Sequence, residues 1–135
     1  MNEPIIISIV APVYGVERFI ARFAESVLSQ SYPHIQFVFV DDGTKDSSID
    51  ILNELIGSRF PHLRERVVIV HKQNAGLPAA RQTGMEYVTG DYVWHVDSDD
   101  WIAEDAVERI VSRILETGSD VIYFGYMKEY ADRSK

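Results

Sequence analysis

The chain has 135 residues, of which 46% are hydrophobic and 25% charged, values typical of one globular domain with a substantial core. Its formal net charge of −8 argues against a nonspecific nucleic-acid-binding surface, and the absence of cysteine excludes disulfides, thiolate nucleophiles and zinc–thiolate sites. No apolar run is long enough to cross a bilayer, so we expect no transmembrane segment in this chain.

Strand-like and helix-like segments alternate along the sequence. Short apolar runs predict strands, and apolar residues at helical spacing predict the helices between them. In chain order the predicted elements are a strand at 5–11, a helix at 16–30, a strand at 35–40, a helix at 46–56 that stops at Gly57, a strand at 67–70, a helix at 76–88, a strand at 92–96, a helix at 106–115 closed by Gly118, and a strand at 121–124. This alternation predicts an α/β fold with a mostly parallel sheet and helices on both faces.

Polar and turn-forming residues follow the predicted strands, at the sheet edge where open α/β folds bind their ligands. In chain order these segments are Pro12-Val13-Tyr14, Asp41-Asp42-Gly43, Asn74-Ala75-Gly76 and Asp97-Ser98-Asp99-Asp100. Two of the four contain adjacent aspartates, which is difficult to explain as ordinary loop composition.

The last of these segments has three carboxylates in four residues, which repel one another unless a cation lies among them. In an extended chain, residues two apart point the same way, so Asp97 and Asp99 can direct oxygens to one point. Hard oxygen ligands suit Mg²⁺ or Mn²⁺, which commonly also bind substrate phosphates. A polar loop before an acidic helix N-terminus is the alternative on these residues alone.

Four blocks of the sequence, in order, resemble the inverting family 2 glycosyltransferases. They read SIVAPVY from residue 8, VDDGTKDS from residue 40, NAGLPAAR from residue 74, and GDY from residue 90 leading into VDSDD at 96–100. The resemblance implies the Rossmann-like GT-A fold. It also implies transfer of a sugar, with inversion, from a nucleotide-diphosphate sugar (a UDP-sugar in particular) to an acceptor hydroxyl, in the synthesis of a surface polysaccharide or other glycan.

The resemblance implies a metal site at the acidic segment. Asp97-Ser98-Asp99 matches the Asp-x-Asp motif of the family, with Asp99 as a direct ligand of Mn²⁺ or Mg²⁺. Asp97 is expected as a further metal ligand or nearer the ribose, and Ser98 as a nucleotide contact. We expect Asp100 to cap a helix or contact the sugar, and His95 to be packed in the core.

The resemblance also implies a nucleotide site. Asp42 matches the aspartate that accepts a hydrogen bond from the imide N–H of uracil, Tyr14 stacks on the base, and Pro12 shapes the pocket through its carbonyl. Arg81 reaches the diphosphate, and Asn74 shapes its loop or touches the nucleotide. The alternatives are a loop aromatic covering the sheet edge for Tyr14 and an exposed helical ion pair for Arg81.

In the family, the general base and the acceptor pocket follow the fifth strand. We therefore expect the base beyond Lys135, and expect residues 1–135 to be one donor-binding domain of a longer enzyme, truncated before the acceptor half. The expected partners are a nucleotide-sugar and a glycan or lipid-linked acceptor, in the cytoplasm and peripheral to the inner face of the membrane. The alternatives are a non-catalytic nucleotide- and metal-binding module and a receiver-type signalling domain.

Overall fold

Strands and helices alternate through residues 3–118, the part of the chain that this computed structural model describes. The elements are β1 (Ile7–Val13), α1 (Ile20–Leu28), β2 (Ile35–Asp41), α2 (Ser48–Arg59), a 3-10 helix (Pro61–Arg66), β3 (Val67–His71), α3 (Leu77–Met85), β4 (Tyr92–His95) and α4 (Ala106–Thr117). The predicted strand at 121–124 lies outside the described residues. None of the helices in the described part is long and apolar enough to cross a membrane.

The four strands form one sheet in the order β3-β2-β1-β4, and all three strand pairs are parallel. The central strand is β1, in which Ile9 pairs with Phe37 of β2 on one side and with Trp94 of β4 on the other. The chain moves outward from β1 to β2 and β3 and then crosses to β4 on the far side of β1. The strand order therefore reverses between β1 and β4, and the carboxyl ends of all four strands share one edge.

Helices cover both faces of this sheet, as the sequence predicts. Successive residues of a strand point to opposite faces. Ile9 therefore packs in a large buried cluster that includes Phe23 of α1, Leu52 of α2 and Ile110 of α4. Val10 packs in a smaller cluster with Ala80 of α3 on the other face.

The start of the first helix differs from its prediction. The helical pattern predicted a start at Val16, whereas α1 begins at Ile20. The Val16 amide donates to Ser48 Oγ (3.0 Å) and the Glu17 amide to Asp46 Oδ2 (3.2 Å). These contacts join the first predicted turn to the start of α2 and the loop before it.

The ends of two further helices were also predicted wrongly. Gly57 lies inside α2, which continues to Arg59 and ends before Pro61, because the residue preceding a proline is disfavoured in a helix. Helix α3 ends at Met85 rather than near residue 88, because the next turn has i→i+3 hydrogen bonds, such as the one from the Tyr87 amide to the Gly84 carbonyl (3.0 Å).

Candidate functional site

A cleft of about 510 Å³ lies at the carboxyl edge of the sheet, where the strand order reverses. Its walls come from the segments that follow all four strands, and all the predicted site residues except Arg81 line it. Tyr14 lines it with 55% of its surface exposed, and Val16 and Leu77 also contribute to the lining. The structure therefore brings together residues that the sequence separates by more than 80 positions.

The acidic segment after β4 is a tight turn rather than an extended strand. The Asp100 amide donates to the Asp97 carbonyl across 3.2 Å. One carboxylate oxygen from each of Asp97, Asp99 and Asp100 lies within 4.8 Å of the other two. The predicted convergence of Asp97 and Asp99 is thus present, although the turn produces it rather than strand alternation. The turn also adds Asp100, whose predicted helix-capping role is wrong because Asp105 precedes α4.

Ser98 attaches this acidic turn to the central strand. Its buried hydroxyl donates to the Pro12 carbonyl across 2.6 Å. The Val96 amide just before the turn donates to the Val10 carbonyl (3.0 Å) and extends the ladder between β1 and β4. These two contacts fix the position of the acidic turn relative to the carboxyl end of β1.

Arg81 projects from α3 to the acidic turn, where its Nη2 donates to Asp97 Oδ1 across 3.1 Å. Its Nε is buried without a hydrogen-bond partner among the described residues, so the guanidinium retains donor capacity beside the cleft. His95 was predicted to be a packed core residue, and this is wrong, because it is exposed on the α3 face of β4. The surrounding residues still remove part of the solvent around its imidazole, and this desolvation, followed by the nearby Arg81 charge, lowers the pKa of His95.

The carboxylate of Asp42 is only 4% exposed and is surrounded by hydrogen-bond donors. Oδ1 accepts from Lys72 Nζ (3.2 Å) and the Ala75 amide (3.0 Å), while Oδ2 accepts from the Gly76 amide (3.1 Å) and Asn74 Nδ2 (3.3 Å). A carboxylate has about four lone-pair positions. All of them are used by the protein itself, an arrangement that the sequence did not predict.

Asn74 makes its shorter hydrogen bond to the Asp42 carbonyl (3.0 Å), so it braces the loop after β2. The backbone of Asn74 also lies against Gly43, where an added Cβ would come within 2.8 Å of the Asn74 amide nitrogen. Gly43 has φ of 73°, which glycine adopts without strain. Asp41 holds the same turn, since its Oδ1 accepts from the Thr44 amide (2.9 Å).

Asp46 joins the loop after β1 to the loop after β2. Its Oδ1 accepts from Thr44 Oγ1 (2.7 Å) and from the hydroxyl and amide of Ser48 (2.6 and 3.0 Å), and its Oδ2 accepts from the Glu17 amide (3.2 Å). Burial alone would raise the pKa of Asp46, but these hydrogen bonds together outweigh it and lower the pKa from 3.8 to about 2. The Gly15 amide donates in turn to Thr44 Oγ1 (2.9 Å). This network fixes the loop at one side of the cleft.

The donor set of the acidic turn fits a hard divalent cation. Asp97, Asp99 and Asp100 offer carboxylate oxygens only, which suits Mg²⁺ or Mn²⁺ and does not suit the softer metals that prefer nitrogen or sulfur. The cleft beside them leaves room for ligands from a bound substrate. The residues present therefore fit the metal that the family resemblance implies.

Two important residues were missed by sequence reasoning. Lys72 follows β3 and reaches Asp42, and Asp46 braces the loops around the cleft. A cation directly after a strand, at the edge that carries Asp42, was the available signal for Lys72. For Asp46, the sequence predicts only a helix that begins at residue 46, and its contacts with the loop after β1 depend on tertiary structure.

The fold matches solved glycosyltransferase structures. A fragment of S. aureus TarS, residues 1–349 in complex with UDP, aligns with a TM-score of 0.74 and 25% sequence identity, covering 84% of this chain and 33% of the TarS chain. The fold is therefore that of the GT-A glycosyltransferases.

The chain belongs to glycosyl transferase family 2, whose family model matches residues 8–135. Glycosyltransferase GlyA of Streptococcus pneumoniae serotype 4 is 38% identical over 120 residues, which are 89% of this chain and 16% of GlyA. Hyaluronan synthase of Pasteurella multocida is 29% identical over 116 residues, 86% of this chain and 11% of the synthase. The chain thus spans a small part of these relatives. Its family membership excludes the receiver-domain alternative.

Proposed function

We propose that this chain is the sugar-nucleotide-binding domain of an inverting glycosyltransferase that uses a UDP-sugar. The observation that carries the proposal is the cleft itself. An exposed aromatic ring, Tyr14, and a buried carboxylate, Asp42, line the cleft together with Asp97 of the acidic turn. Asp42 follows β2 and the acidic turn follows β4, on either side of the central strand β1. A nucleoside diphosphate has the matching parts, a flat base at one end and a charged diphosphate at the other.

The base half of the proposed site consists of Tyr14 and Asp42. The ring of Tyr14 offers a flat face for stacking on a pyrimidine, a contact worth about 1–3 kcal/mol in other proteins. Asp42 provides the acceptor for the imide N–H of uracil. The TarS structure, at 25% identity, contains UDP, which supports uracil as the base.

The diphosphate half consists of the acidic turn and Arg81. Asp99 and Asp97, with Asp100 beside them, would hold Mn²⁺ or Mg²⁺. A cation bound there would neutralise the phosphates and stabilise the departing nucleoside diphosphate. Arg81 supplies a second positive charge from α3, and Ser98 and Pro12 keep the turn at the correct height.

The acceptor and the general base belong to the proposal for the whole protein. We place both outside residues 1–135, in keeping with the small fraction of GlyA and of the hyaluronan synthase that the chain spans. The name of the second relative supports a glycan product, and we propose a surface polysaccharide, with a glycan or lipid-linked acceptor. The proposed location is the cytoplasmic side of the membrane.

Calorimetry on the full chain tests the proposed site. UDP, GDP, CDP and ADP are titrated in the presence of Mn²⁺ and again with EDTA. We expect UDP to bind at least about tenfold more tightly than the other three, and EDTA to remove most of that affinity. Equal binding of all four nucleotides would contradict the base half, and unchanged binding in EDTA would contradict the metal half.

A matched pair of tyrosine variants tests the stacking contact. Tyr14→Ala should weaken UDP binding by about tenfold, in line with one lost base–aromatic stack. Tyr87→Ala is the control, because Tyr87 is similarly exposed at 43% but does not line the cleft. Equal effects of the two substitutions would remove Tyr14 from the base site.

A further inference from the structure

We propose that Lys72 is a nucleobase-recognition residue, which donates a hydrogen bond to a carbonyl oxygen of the base beside the imide N–H that Asp42 accepts. This inference rests on the proposed function, since it names a new contact in the same site. The ligand class is a base with adjacent N–H and C=O groups, of which uracil is the expected member.

The position of Lys72 is the first observation. Its backbone amide donates to the Asp41 carbonyl (3.0 Å), which extends the pairing of β3 with β2 by one residue. Its side chain is only 17% exposed and runs to Asp42, where Nζ lies 3.2 Å from Oδ1. A mostly buried lysine side chain therefore places its ammonium next to the carboxylate of Asp42, which lines the cleft.

The hydrogen-bond inventory of the ammonium is the second observation. An ammonium has three N–H donors. One points to Asp42 Oδ1 and one to the Gln73 carbonyl (2.7 Å), which leaves the third for an acceptor outside residues 3–118. Because the side chain is 17% exposed, this third N–H can donate to water or to a bound ligand.

The saturation of Asp42 gives the third observation. A base N–H can bind Asp42 only if one of its four present donors gives way. The Ala75 and Gly76 amides are fixed by the loop that begins α3, whereas Lys72 can turn away from Oδ1 and keep its shorter bond to Gln73. Base binding then replaces one hydrogen bond, from Lys72 Nζ to Asp42 Oδ1, by two. The base N–H donates to Asp42 Oδ1, and the displaced ammonium of Lys72 donates to the base carbonyl.

This exchange explains how Asp42 can bind a ligand although all its acceptor positions are occupied by protein donors when no ligand is bound. Lys72 keeps the buried charge of Asp42 neutralised before the nucleotide arrives. It then contributes a charge-assisted hydrogen bond to the base, a stronger type than a neutral one.

The test uses the full chain and two probes, UDP with Mn²⁺ and inorganic pyrophosphate with Mn²⁺. Lys72→Met should weaken UDP binding by about tenfold or more and leave pyrophosphate binding unchanged, since only the base contact is lost. Lys72→Arg should restore most of the UDP affinity. Unchanged UDP binding in Lys72→Met overturns the inference, and so does a parallel loss for both probes, which would mean that Lys72 only supports the fold.

A second measurement leaves the protein unmutated. UDP analogues in which the 2- or the 4-carbonyl oxygen is replaced by sulfur, a poorer acceptor, are titrated against the wild-type chain. One of the two should bind several-fold more weakly than UDP, and two unchanged affinities would overturn the inference. Failure of the wild-type chain to bind UDP while it binds pyrophosphate is a different result, since it would overturn the proposed base site together with this contact.

Discussion

Arg81 Nη2 lies 3.1 Å from Asp97 Oδ1, and this ion pair connects α3 to the acidic turn after β4. The two side chains are 39% and 31% exposed, so the pair alone contributes little to stability. Its importance lies in geometry. The pair holds a guanidinium with further donor capacity at the margin of a carboxylate cluster, where a diphosphate would need both a metal and a second cation.

Replacing Arg81 by Gln should therefore affect the phosphate end of the ligand selectively. We expect UDP affinity in Mn²⁺ to fall by about tenfold or more, as for loss of a charge-assisted hydrogen bond, while uridine binding stays unchanged. Calorimetry with the two ligands checks this. Arg59→Gln is the control, because Arg59 also forms an ion pair, with Glu25 at 2.9 Å, on an exposed part of the surface. Equal losses for UDP and uridine would place Arg81 outside the diphosphate site.

Asp99→Asn tests the acidic turn with almost no change in volume. One of the three clustered carboxylates is lost, and the affinity for Mn²⁺ should fall by about tenfold or more, because a neutral amide is a weaker ligand for a hard cation. Titration of Mn²⁺ followed by its paramagnetic resonance signal measures this directly.

Asp105→Asn is the matched control for that substitution. Asp105 also carries a charge near the turn but is paired with Arg109 (2.8 Å) at the start of α4, outside the cluster. The Asp105→Asn variant should bind Mn²⁺ as tightly as the wild-type chain does. If Asp99→Asn and Asp105→Asn behave alike, the cluster is not the metal site.

The order and type of the elements could be predicted because strands buried on both faces give nearly continuous apolar runs. The helix ends could not. Val16 fits the helical pattern, but α1 begins only at Ile20, and the Val16 amide is bound by the side chain of Ser48, the first residue of α2. Gly57 is a common stop signal, yet packing of α2 continues past it, and Pro61 provides the real end.

The site, like the fold, could be predicted from the sequence only in part. The shared edge of parallel strands places Asp42 and Asp97 together, so the pairing of the two was predictable from the order of elements. The four hydrogen-bond donors around Asp42 were not, because they depend on how the loop after β3 folds over β2. Neither was the turn that adds Asp100, since a local i→i+3 hydrogen bond competes with an extended chain.

Gly84 allows α3 to lie close to the sheet, and a methyl group there should be strongly unfavourable. An added Cβ would come within 2.5 Å of Val10 Cγ1 and 3.1 Å of Val40 Cγ2. We expect Gly84→Ala to lower the free energy of unfolding by about 1–3 kcal/mol, as overpacking does, and to weaken UDP binding because Arg81 lies one turn away. Urea unfolding measures the first effect.

The contrasting substitution is Gly57→Ala in α2. Gly57 is exposed, and the nearest atom to an added Cβ is the flexible end of Arg64, at 3.2 Å. Alanine in a helix is favoured over glycine by about 1 kcal/mol, so this variant should be more stable than the wild-type chain. Similar destabilisation by the two alanines would contradict close packing at Gly84.

Asp46 gives the chain a stability term with a defined pH range. Hydrogen bonds lower its pKa in the folded state to about 2 from 3.8, so the folded state favours the charged form. The stabilisation is therefore fully present above pH 3.8 and is lost as the pH falls through about 2. Asp46→Ala should lower the free energy of unfolding at pH 7 by about 1–3 kcal/mol, because it also leaves the Glu17 and Ser48 amides without an acceptor.

The difference between the wild-type chain and Asp46→Ala should shrink as the pH is lowered from about 4 to about 2, since the wild-type carboxylate is protonated in that range. Urea unfolding at several pH values, with Asp50→Ala as the control, measures the difference. Asp50 is an exposed aspartate in the first turn of α2, outside the hydrogen-bond network of Asp46. A difference for Asp46→Ala that stays constant down to pH 2 would contradict this prediction, because it would show that the contribution of Asp46 to stability does not depend on its charge.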